Sequence, residues 1–277
     1  MNKSKEGLVD LHVHTTFSDG DMTPEEMVEA AKNLGLAGIG IADHDEIDGA
    51  AVAVEAAGSS GFQVVPAVEM STSDGKTDVH VLGYLIDLKN EKLRDFLQVF
   101  RDARLKRGLQ MVERLRAMGM NVDPDQVLEI ANGGSVGRPH VAEALLRGGF
   151  VGTYEEAFRK YIGFDSPAYV PKYQLKPDLA FSLIKEAGGV GVIAHPGTLR
   201  RDDLITDFVA WGMKGIEVYH PKHQAQLVEH YERLAEKMGL IVTGGSDSHG
   251  RRDGNLLLGQ YTVPLSAIDA LKKARSY

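Results

Sequence analysis

The sequence predicts an α/β protein, a barrel of mostly parallel strands that is interrupted by one long helical insertion. Buried strands alternate with amphipathic helices at both ends of the chain, and the middle shows no strand pattern. Acidic and histidine residues also follow most of the predicted strands. Alternation of strands and helices is typical of βα units that build a parallel sheet.

Seven segments have the pattern of buried strands, because each is a short apolar run bounded by glycine or polar turn residues. They are residues 7–13, 37–44, 62–70, 78–86, 190–195, 215–220 and 240–250. Seven strands in alternation with helices indicate a barrel.

Helices are predicted between these strands, at residues 23–34, 49–57, 177–187, 202–211 and 224–238. The first has the clearest start. Thr23 is suited to the N-cap, Pro24 to the first helical position, and Glu26 to the closing position of a capping box. Gly35 is suited to end this helix.

The middle of the chain is predicted to be helical throughout. A long amphipathic run covers residues 93–118, and shorter helices are expected to begin near Pro124, Pro139 and Thr153. Residues 92–172 hold 13 Lys and Arg against 10 Asp and Glu, a net charge of +3, while the rest of the chain has a net charge of -11. We therefore expect two units, a barrel of residues 1–90 and 170–277 and a helical insertion of residues 91–169.

The composition excludes several classes of protein. The chain has no cysteine, so disulfides and thiolate metal sites are excluded. No apolar stretch approaches the length of a membrane span, and the first residues, MNKSKEG, lack an apolar signal segment. We expect a cytoplasmic protein. A net charge of -8 disfavours binding to long nucleic acid, but it is compatible with a small anionic substrate.

The segment DLHVHTTFSDG places two histidines, His12 and His14, on the same side of the first predicted strand. Such a pair alone is weak evidence, because two surface or core histidines would explain it equally well. Other potential ligands close or directly follow later strands, namely His44, Glu69, His195, Asp247 and His249. Because the carboxyl ends of barrel strands converge on one face, these side chains are expected to meet there. The sequence thus predicts a polynuclear site of nitrogen and oxygen ligands, suited to Mn, Zn or Fe.

Five separated motifs resemble, in this order, those of the PHP (polymerase and histidinol phosphatase) family of metal-dependent phosphoesterases. They are DLHVHTTFSDG, IADHD, the pair Glu69 and His80, IAHPG and GSDSHG. The resemblance covers residues 1 to about 90 and about 170 to 277. It implies a distorted (β/α)7 TIM-like barrel that holds two to three divalent metal ions.

The resemblance also implies which residues hold the ions. The first ion would be bound by His12, His14, Glu69 and Asp247. The second would share Glu69 and add His80 and His195. The third would be bound by Asp19, His44 and His249. Glu69, Asp247 and His195 are accordingly the candidate catalytic residues, because they would hold the ions that activate the attacking water.

Three of the acidic and histidine residues need separate interpretation. Asp43 and Asp10 are interpreted as carboxylates that orient ligating histidines, although a hydrogen bond at the strand start is a close alternative for Asp10. His80 lies inside its strand rather than at its end. An antiparallel return of this strand after the turn at residues 71–75 would bring His80 to the site, and a core histidine is the alternative.

A glycine-rich turn, NGGSVG, leads into the segment RPHVAEALL with Arg138 and His140 in its first turn. A helix start with a nearby arginine is suited to phosphate, although spacing alone favours an ordinary helix start. The PHP subgroup with such a segment includes nucleoside 3′,5′-bisphosphate phosphatases and 5′→3′ exoribonucleases, in which the insertion covers the active site. The resemblance therefore implies that Arg138 and His140 contact substrate phosphate. His223, beside Lys222, is a further candidate that a helix start explains nearly as well.

The expected activity is hydrolysis of the 3′-phosphate of nucleoside 3′,5′-bisphosphates by a metal-activated hydroxide. A 5′→3′ exoribonuclease acting on short 5′-phosphorylated RNA is the alternative. A histidinol-phosphate phosphatase is less favoured, and the complete ligand set argues against a non-catalytic PHP module. The expected partner is a small phosphorylated nucleotide or short oligonucleotide, without long duplex nucleic acid and without a membrane.

Overall fold

The computed structural model describes residues 7–173, 175–251 and 256–275. In this part of the chain, eight strands form one curved sheet in the order β7–β6–β5–β4–β3–β2–β1–β8. The strands are β1 (Leu8–Val13), β2 (Gly38–Ile41), β3 (Gln63–Ser73), β4 (Asp78–Tyr84), β5 (Val190–Ile193), β6 (Gly215–Tyr219), β7 (Ile241–Gly244) and β8 (Val263–Pro264). The two ends of the sheet meet where Val13 bridges Ser248 in parallel register. The predicted α/β barrel is confirmed, and it is nearly closed.

Helices cover the outside of the barrel and form the segment between β4 and β5. They are α1 (Pro24–Asn33), α2 (Asp48–Ala57), α3 (Glu91–Ala117), α4 (Pro124–Ala131), α5 (Arg138–Arg147), α6 (Tyr154–Ala157), α7 (Pro177–Glu186), α8 (Ile205–Ala210), α9 (Ala225–Met238) and α10 (Ser266–Ala274). The capping box of α1 is present, since the Thr23 side chain accepts from the Glu26 backbone and the Glu26 side chain accepts from the Thr23 backbone.

Two elements near the C-terminal end of the chain were not predicted. β8 pairs antiparallel with β1, where Val263 lies opposite Val9, and α10 buries Ile268 and Leu271. β8 has only two residues, too few for a periodic pattern to be recognised. Its pairing covers part of the edge of β1 that would otherwise present unpaired backbone groups.

The fourth strand runs against its neighbours. β4 is antiparallel to both β3 and β5, whereas β1, β2 and β3 run parallel to one another, as do β5, β6 and β7. His80 near the start of β4 therefore pairs with Ser71 near the end of β3. This confirms the expected antiparallel return, and it places His80 at the edge where the parallel strands end.

The helices between β4 and β5 share an apolar cluster of their own, to which α3 contributes Met111, Val112 and Leu115. Polar contacts hold this segment over the carboxyl ends of the strands. The Ser135 backbone N–H donates to the Phe17 carbonyl at 2.9 Å, and the N-terminal half of α3 makes ion pairs with the loop that follows β2. The exact division into two units at residues 90 and 170 stays a prediction.

Among the described residues, no helix combines the length and the apolar composition that a membrane span requires.

The closure of the barrel depends on a glycine at the end of β7. A Cβ at Gly245 would lie 2.3 Å from the Cβ of His12 and 2.4 Å from its backbone nitrogen. Neither atom can move without displacing β1, so the two strands can approach this closely only with glycine at position 245.

We expect Gly245→Ala to lower the free energy of unfolding by about 1–3 kcal/mol, which is the typical cost of overpacking a core. Urea unfolding followed by circular dichroism measures this loss. Gly152→Ala is the matched control, because its Cβ would meet only the flexible Glu156 side chain at 3.4 Å. Equal stability of the two variants would contradict the close approach of β1 and β7.

Candidate metal centre

The predicted ligands converge at the carboxyl ends of the strands. The structure forms three groups of side chains whose potential ligand atoms all lie within 4.8 Å of one another. The groups are His12, His14, Glu69 and Asp247; His14, Asp19, His44 and His249; and His44, Glu69 and His80. His195 lies outside these groups, but its Nε2 is 3.0 Å from Glu69 Oε1. All the residues predicted as ligands are thus brought together, and their assignment to particular ions stays a prediction.

The buried carboxylate of Glu69 lies between two sets of imidazoles. Its Oε1 is 2.7 Å from His80 Nδ1 and 3.0 Å from His195 Nε2. Its Oε2 is 3.0 Å from His44 Nδ1 and between 3.3 and 3.4 Å from the Nε2 atoms of His14 and His12. Each oxygen of Glu69 therefore faces a different set of potential ligands, so this one carboxylate could serve two ions.

The strand geometry explains why His12 and His14 face each other. The two residues are separated by one position at the end of β1, so their side chains point to the same face. Their Nε2 atoms are 3.1 Å apart and both side chains are fully buried.

Two buried ligand atoms have unsatisfied hydrogen-bonding capacity. His44 Nδ1 and Glu69 Oε2 are inaccessible to solvent and lie 3.0 Å apart, but neither atom makes a hydrogen bond of acceptable geometry with a described residue. A buried polar atom without a partner costs about 1–3 kcal/mol. A divalent cation would satisfy both atoms at once, and imidazole and carboxylate ligands without thiolates suit Mn, Zn or Fe. The residues present therefore fit a metal site.

The carboxylates of the site remain ionised although they are buried. Burial alone would raise the pKa of Glu69, but electrostatic interactions with the imidazoles around it hold this pKa well below its usual range. Burial likewise opposes the shift at Asp247, where the charge of His12 and the hydrogen bond to His14 hold the pKa low. Without a cation, the ionised carboxylates are therefore balanced by protonated imidazoles such as His12 and His14, whose pKa values are raised.

The imidazoles respond in two opposite ways to this charge. Burial disfavours protonation of His14, yet the nearby carboxylates of Asp247 and Glu69 raise its pKa to about 10. At His80, burial lowers the pKa to about 4, and nearby Lys172 contributes to this shift. A ligating imidazole must be neutral, so protons compete with metal ions at His14, and metal affinity should decrease as the pH falls.

Glu217 is a functional candidate that the sequence analysis missed. It is fully buried in β6. Its Oε1 accepts from His12 Nδ1 at 2.9 Å, and its Oε2 accepts from the His195 backbone N–H at 2.7 Å. Glu217 therefore orients one imidazole and fixes the backbone that carries another. The available signal was a lone acidic residue inside an otherwise apolar strand pattern.

His220 was missed as well. It follows β6 directly, and its Nε2 is 3.3 Å from Asp247 Oδ2. Its position in the sequence could have revealed it, because His220 directly follows a predicted strand, as several of the predicted ligands do.

The two carboxylates predicted to orient histidines have other partners. Asp10 accepts backbone N–H groups of His12, Ser246 and Gly259 and contacts no imidazole. Asp10 therefore ties β1 to the loops that follow β7. This corresponds to the alternative interpretation of Asp10, a hydrogen bond at the start of the strand. Asp43 accepts from Thr15 and from Ser18 Oγ. It therefore reaches the His14 ring only indirectly, because Ser18 Oγ is 3.5 Å from His14 Nδ1.

The three residues predicted to contact substrate phosphate differ in how many of their polar atoms are already used in hydrogen bonds within the protein. The Arg138 guanidinium lies over the rings of Phe158 and Tyr169, at 5.5 and 5.9 Å, and such contacts engage the face of a guanidinium rather than its N–H groups. His140 is buried, and its Nδ1 accepts from the Gly137 backbone at the start of α5. In His223, Nδ1 donates to the Val218 carbonyl and Nε2 accepts from the Gly197 backbone N–H. Both ring nitrogens of His223 are thus used within the protein, so the expected phosphate contact by His223 is not available in this conformation.

A cluster of basic side chains beside the ligands was also missed. Lys172 Nζ is 3.4 Å from His80 Nε2 and 2.9 Å from Asp78 Oδ2. Arg107 is buried with its Nη2 unpaired among the described residues, and burial together with Arg138 and Arg104 lowers its pKa to about 10. These residues are far apart in sequence, on α3, on α5 and before α7, so no local pattern could reveal the cluster.

A cavity of about 390 Å³ opens beside the ligands. Asp19, Asp247 and His249 line this cavity together with Tyr154 and Phe158 of the helical segment. Lys222, which the sequence analysis considered, also lines it. A substrate in this cavity would contact the potential metal ligands and the helical segment together.

Comparisons with known proteins agree with this geometry. The PHP domain family matches residues 10–164. A 3′,5′-nucleoside bisphosphate phosphatase of Chromobacterium violaceum is 34% identical over 252 residues, which cover 89% of this chain and 88% of that protein. The 5′-3′ exoribonuclease Rnm of Salmonella typhimurium is 32% identical, over 87% of this chain and 85% of its own. A crystal structure from Bifidobacterium adolescentis, regarded as a metal-dependent phosphoesterase, has a TM-score of 0.90 and 33% identity over 100% of this chain and 99% of that chain.

Removal of the Glu217 carboxylate should weaken metal binding without removing a ligand. Glu217 now accepts hydrogen bonds from two N–H donors. In Glu217→Gln, the N–H₂ of the amide would face one of these donors, so that hydrogen bond would be lost. We expect about 10- to 100-fold weaker Mn²⁺ binding, the usual effect of losing such a supporting group. Calorimetric titration of the metal-depleted protein at constant pH measures the affinity. The control is Glu232→Gln on the exposed side of α9, where the carboxylate accepts from the Tyr219 hydroxyl. Equal affinity of the two variants would show that Glu217 does not support the centre.

Proposed function

Because the chain belongs to the PHP domain family, we propose that it removes the 3′-phosphate from nucleoside 3′,5′-bisphosphates. As the sequence motifs indicated, the protein is an enzyme, a metal-dependent hydrolase of phosphate esters. The choice of substrate within this class is our proposal, supported by the relative from Chromobacterium violaceum and by the charges of the cleft.

The observation that carries the choice of substrate is the presence of two binding regions for negative groups in the same cleft. One is the centre around Glu69. The other is the basic cluster of Arg107, Arg138 and Lys172. Lys172 joins the two regions through its approach to His80, and Arg138 is close enough to shift the pKa of Lys172. A substrate with a reacting phosphate and a second phosphate would engage both regions.

We propose that the centre holds two to three divalent ions on the ligands predicted from the sequence. When bound, such ions lower the pKa of water and neutralise charge on phosphoryl oxygens. Glu69 would position two ions, because its oxygens face different imidazoles. Asp247 and His195 would be further ligands of these ions, and Glu217 would keep His12 in its ligating orientation.

The basic cluster would hold the second phosphate away from the reacting one. A guanidinium binds phosphate through paired N–H donors, and such charge-assisted hydrogen bonds are stronger than neutral ones. The Arg138 guanidinium is held in place by the aromatic rings of Phe158 and Tyr169, which contact its face rather than its N–H groups. Arg107 adds a buried Nη2 without a partner among the described residues. His140 would support Arg138 indirectly, through its hydrogen bond at the start of α5.

The number of ions can be measured directly. Elemental analysis after reconstitution with Mn²⁺ should find about two to three equivalents per chain, since the ligands exceed the needs of one ion. Glu69→Ala should lose more metal than Asp19→Ala, because Glu69 belongs to two of the three groups and Asp19 to one. At most one equivalent in the wild type, or equal losses in the two variants, would contradict the assignment.

Hydrolysis of a panel of substrates tests the proposed activity, measured as inorganic phosphate for the monoesters and as released mononucleotide for the RNA. The panel comprises a nucleoside 3′,5′-bisphosphate, AMP, a short 5′-phosphorylated RNA and histidinol phosphate, each with added Mn²⁺. We expect the bisphosphate to have the highest kcat/KM. A higher kcat/KM for the RNA would instead favour the exoribonuclease alternative, and preference for histidinol phosphate would exclude both.

Arg138→Ala should impair recognition of the second phosphate rather than hydrolysis itself. Hydrogen bonds to charged groups are worth about 1.5–3 kcal/mol, so kcat/KM for the bisphosphate should fall about 10- to 100-fold. For p-nitrophenyl phosphate, which lacks a second phosphate, the loss should be small. Arg147→Ala is the matched control, because Arg147 lies at the exposed end of α5 and pairs with Glu143. Equal losses on both substrates would assign Arg138 to the reacting phosphate or to the fold.

A further inference from the structure

A groove of about 160 Å³ adjoins the basic cluster, because Lys172 is among the residues that line it. Phe164, Tyr169 and Tyr173 line it together with Lys76 and Lys172. We propose that this aromatic groove binds the nucleobase of the substrate by stacking. The proposal deepens the proposed function and rests on the substrate being a nucleotide.

The exposure of the aromatic rings is the first argument. Phe164 is 62% exposed, the largest fraction among the large hydrophobic side chains of the described residues, and Tyr173 is 55% exposed. Exposed apolar surface of this kind contributes little to folding, and when it is grouped it usually marks a binding site. The Phe164 ring already stacks on Tyr169 with centroids 4.9 Å apart, so its orientation is defined although most of its surface is open.

The position of the groove is the second argument. Lys172 lines the groove and also approaches the predicted ligand His80 at 3.4 Å. Tyr169 lines the groove, and its ring lies against the guanidinium groups of Arg107 and Arg138, at 5.8 and 5.9 Å. The groove is therefore continuous with the region that we assign to the second phosphate. A nucleotide with its phosphates at the centre and at the basic cluster would bring its base to these rings.

The chemistry of the groove is the third argument. Aromatic side chains beside lysines are suited to nucleotides, because the rings stack on bases while the cations attract the phosphates. The larger cavity beside the metal ligands is less suited to a base. Its Phe158 ring is covered by the Arg138 guanidinium at 5.5 Å, whereas most of the Phe164 surface is open to solvent.

Two substrates that differ only in the base test this proposal. They are adenosine 3′,5′-bisphosphate and an analogue that carries hydrogen in place of adenine. We expect the Mn²⁺-loaded wild type to prefer the adenosine compound. In Phe164→Ala, kcat/KM for the adenosine compound should fall about 10- to 100-fold, as for the loss of one stacking contact, and the value for the abasic analogue should be unchanged.

Two further variants control for indirect effects. Phe164→Tyr keeps a stacking ring and should retain the preference for the base. Trp211→Ala removes another exposed aromatic residue, one that follows α8 and lines none of the described groove, and it should behave as the wild type. Equal rates of the wild type on both bisphosphates, or an equal loss on both in Phe164→Ala, would overturn the proposal.

A binding experiment separates failure of this proposal from failure of the proposed function. Calorimetry compares AMP with ribose 5-phosphate, its counterpart without a base, and it requires no hydrolysis of a bisphosphate. If the wild type does not hydrolyse bisphosphates, but binds AMP more tightly and loses this difference in Phe164→Ala, the proposed substrate is wrong and the base site stands. If the wild type binds both compounds equally, the base site is wrong, whatever the enzyme hydrolyses.

Discussion

The carboxylate of Glu69 is the interaction on which the rest of the site depends. A carboxylate this deeply buried is costly unless positive charge or metal surrounds it. Histidines from several parts of the barrel supply these surroundings, with His80 and His195 at one oxygen and His44 at the other. Without metal, protons on the imidazoles balance the charge, and with metal the ions would replace them. The same residues therefore serve the stability of the barrel end and its chemistry.

The reversed direction of β4 makes this arrangement possible. In an all-parallel barrel, each strand delivers residues to the active face only from its carboxyl end. Because β4 is antiparallel to both neighbours, its beginning lies at that face, and His80 enters opposite Ser71. The reversal also positions the chain after β4 to leave the barrel and form α3. One topological change thus supplies a ligand and the attachment point of the helical segment.

The helical segment contributes charges that the barrel lacks. The barrel part is strongly acidic, which suits cations but repels phosphate. α3 and α5 bring Arg104, Arg107 and Arg138 toward the centre, and each is held differently. Arg104 is paired with Asp45, Arg107 donates to the Val170 carbonyl, and Arg138 is packed on aromatic rings. Arg107 and Arg138 make no ion pair with any carboxylate among the described residues, so they retain capacity for an anion. Charge counting along the sequence could not identify them, because it does not show which arginines are paired.

The sequence by itself determined the barrel, the capped start of α1, and the ligand types of the centre. These features are local, because strand periodicity, capping residues and the step from strand to ligand can each be recognised within a few neighbouring positions. Tertiary structure alone decided which groups Glu217, His220, Arg107 and Lys172 face, and it showed that the nitrogens of His223 are already used. It also decided that Phe164 remains exposed beside the cleft. Such properties depend on contacts between segments far apart in the chain, and neither composition nor periodicity carries that information.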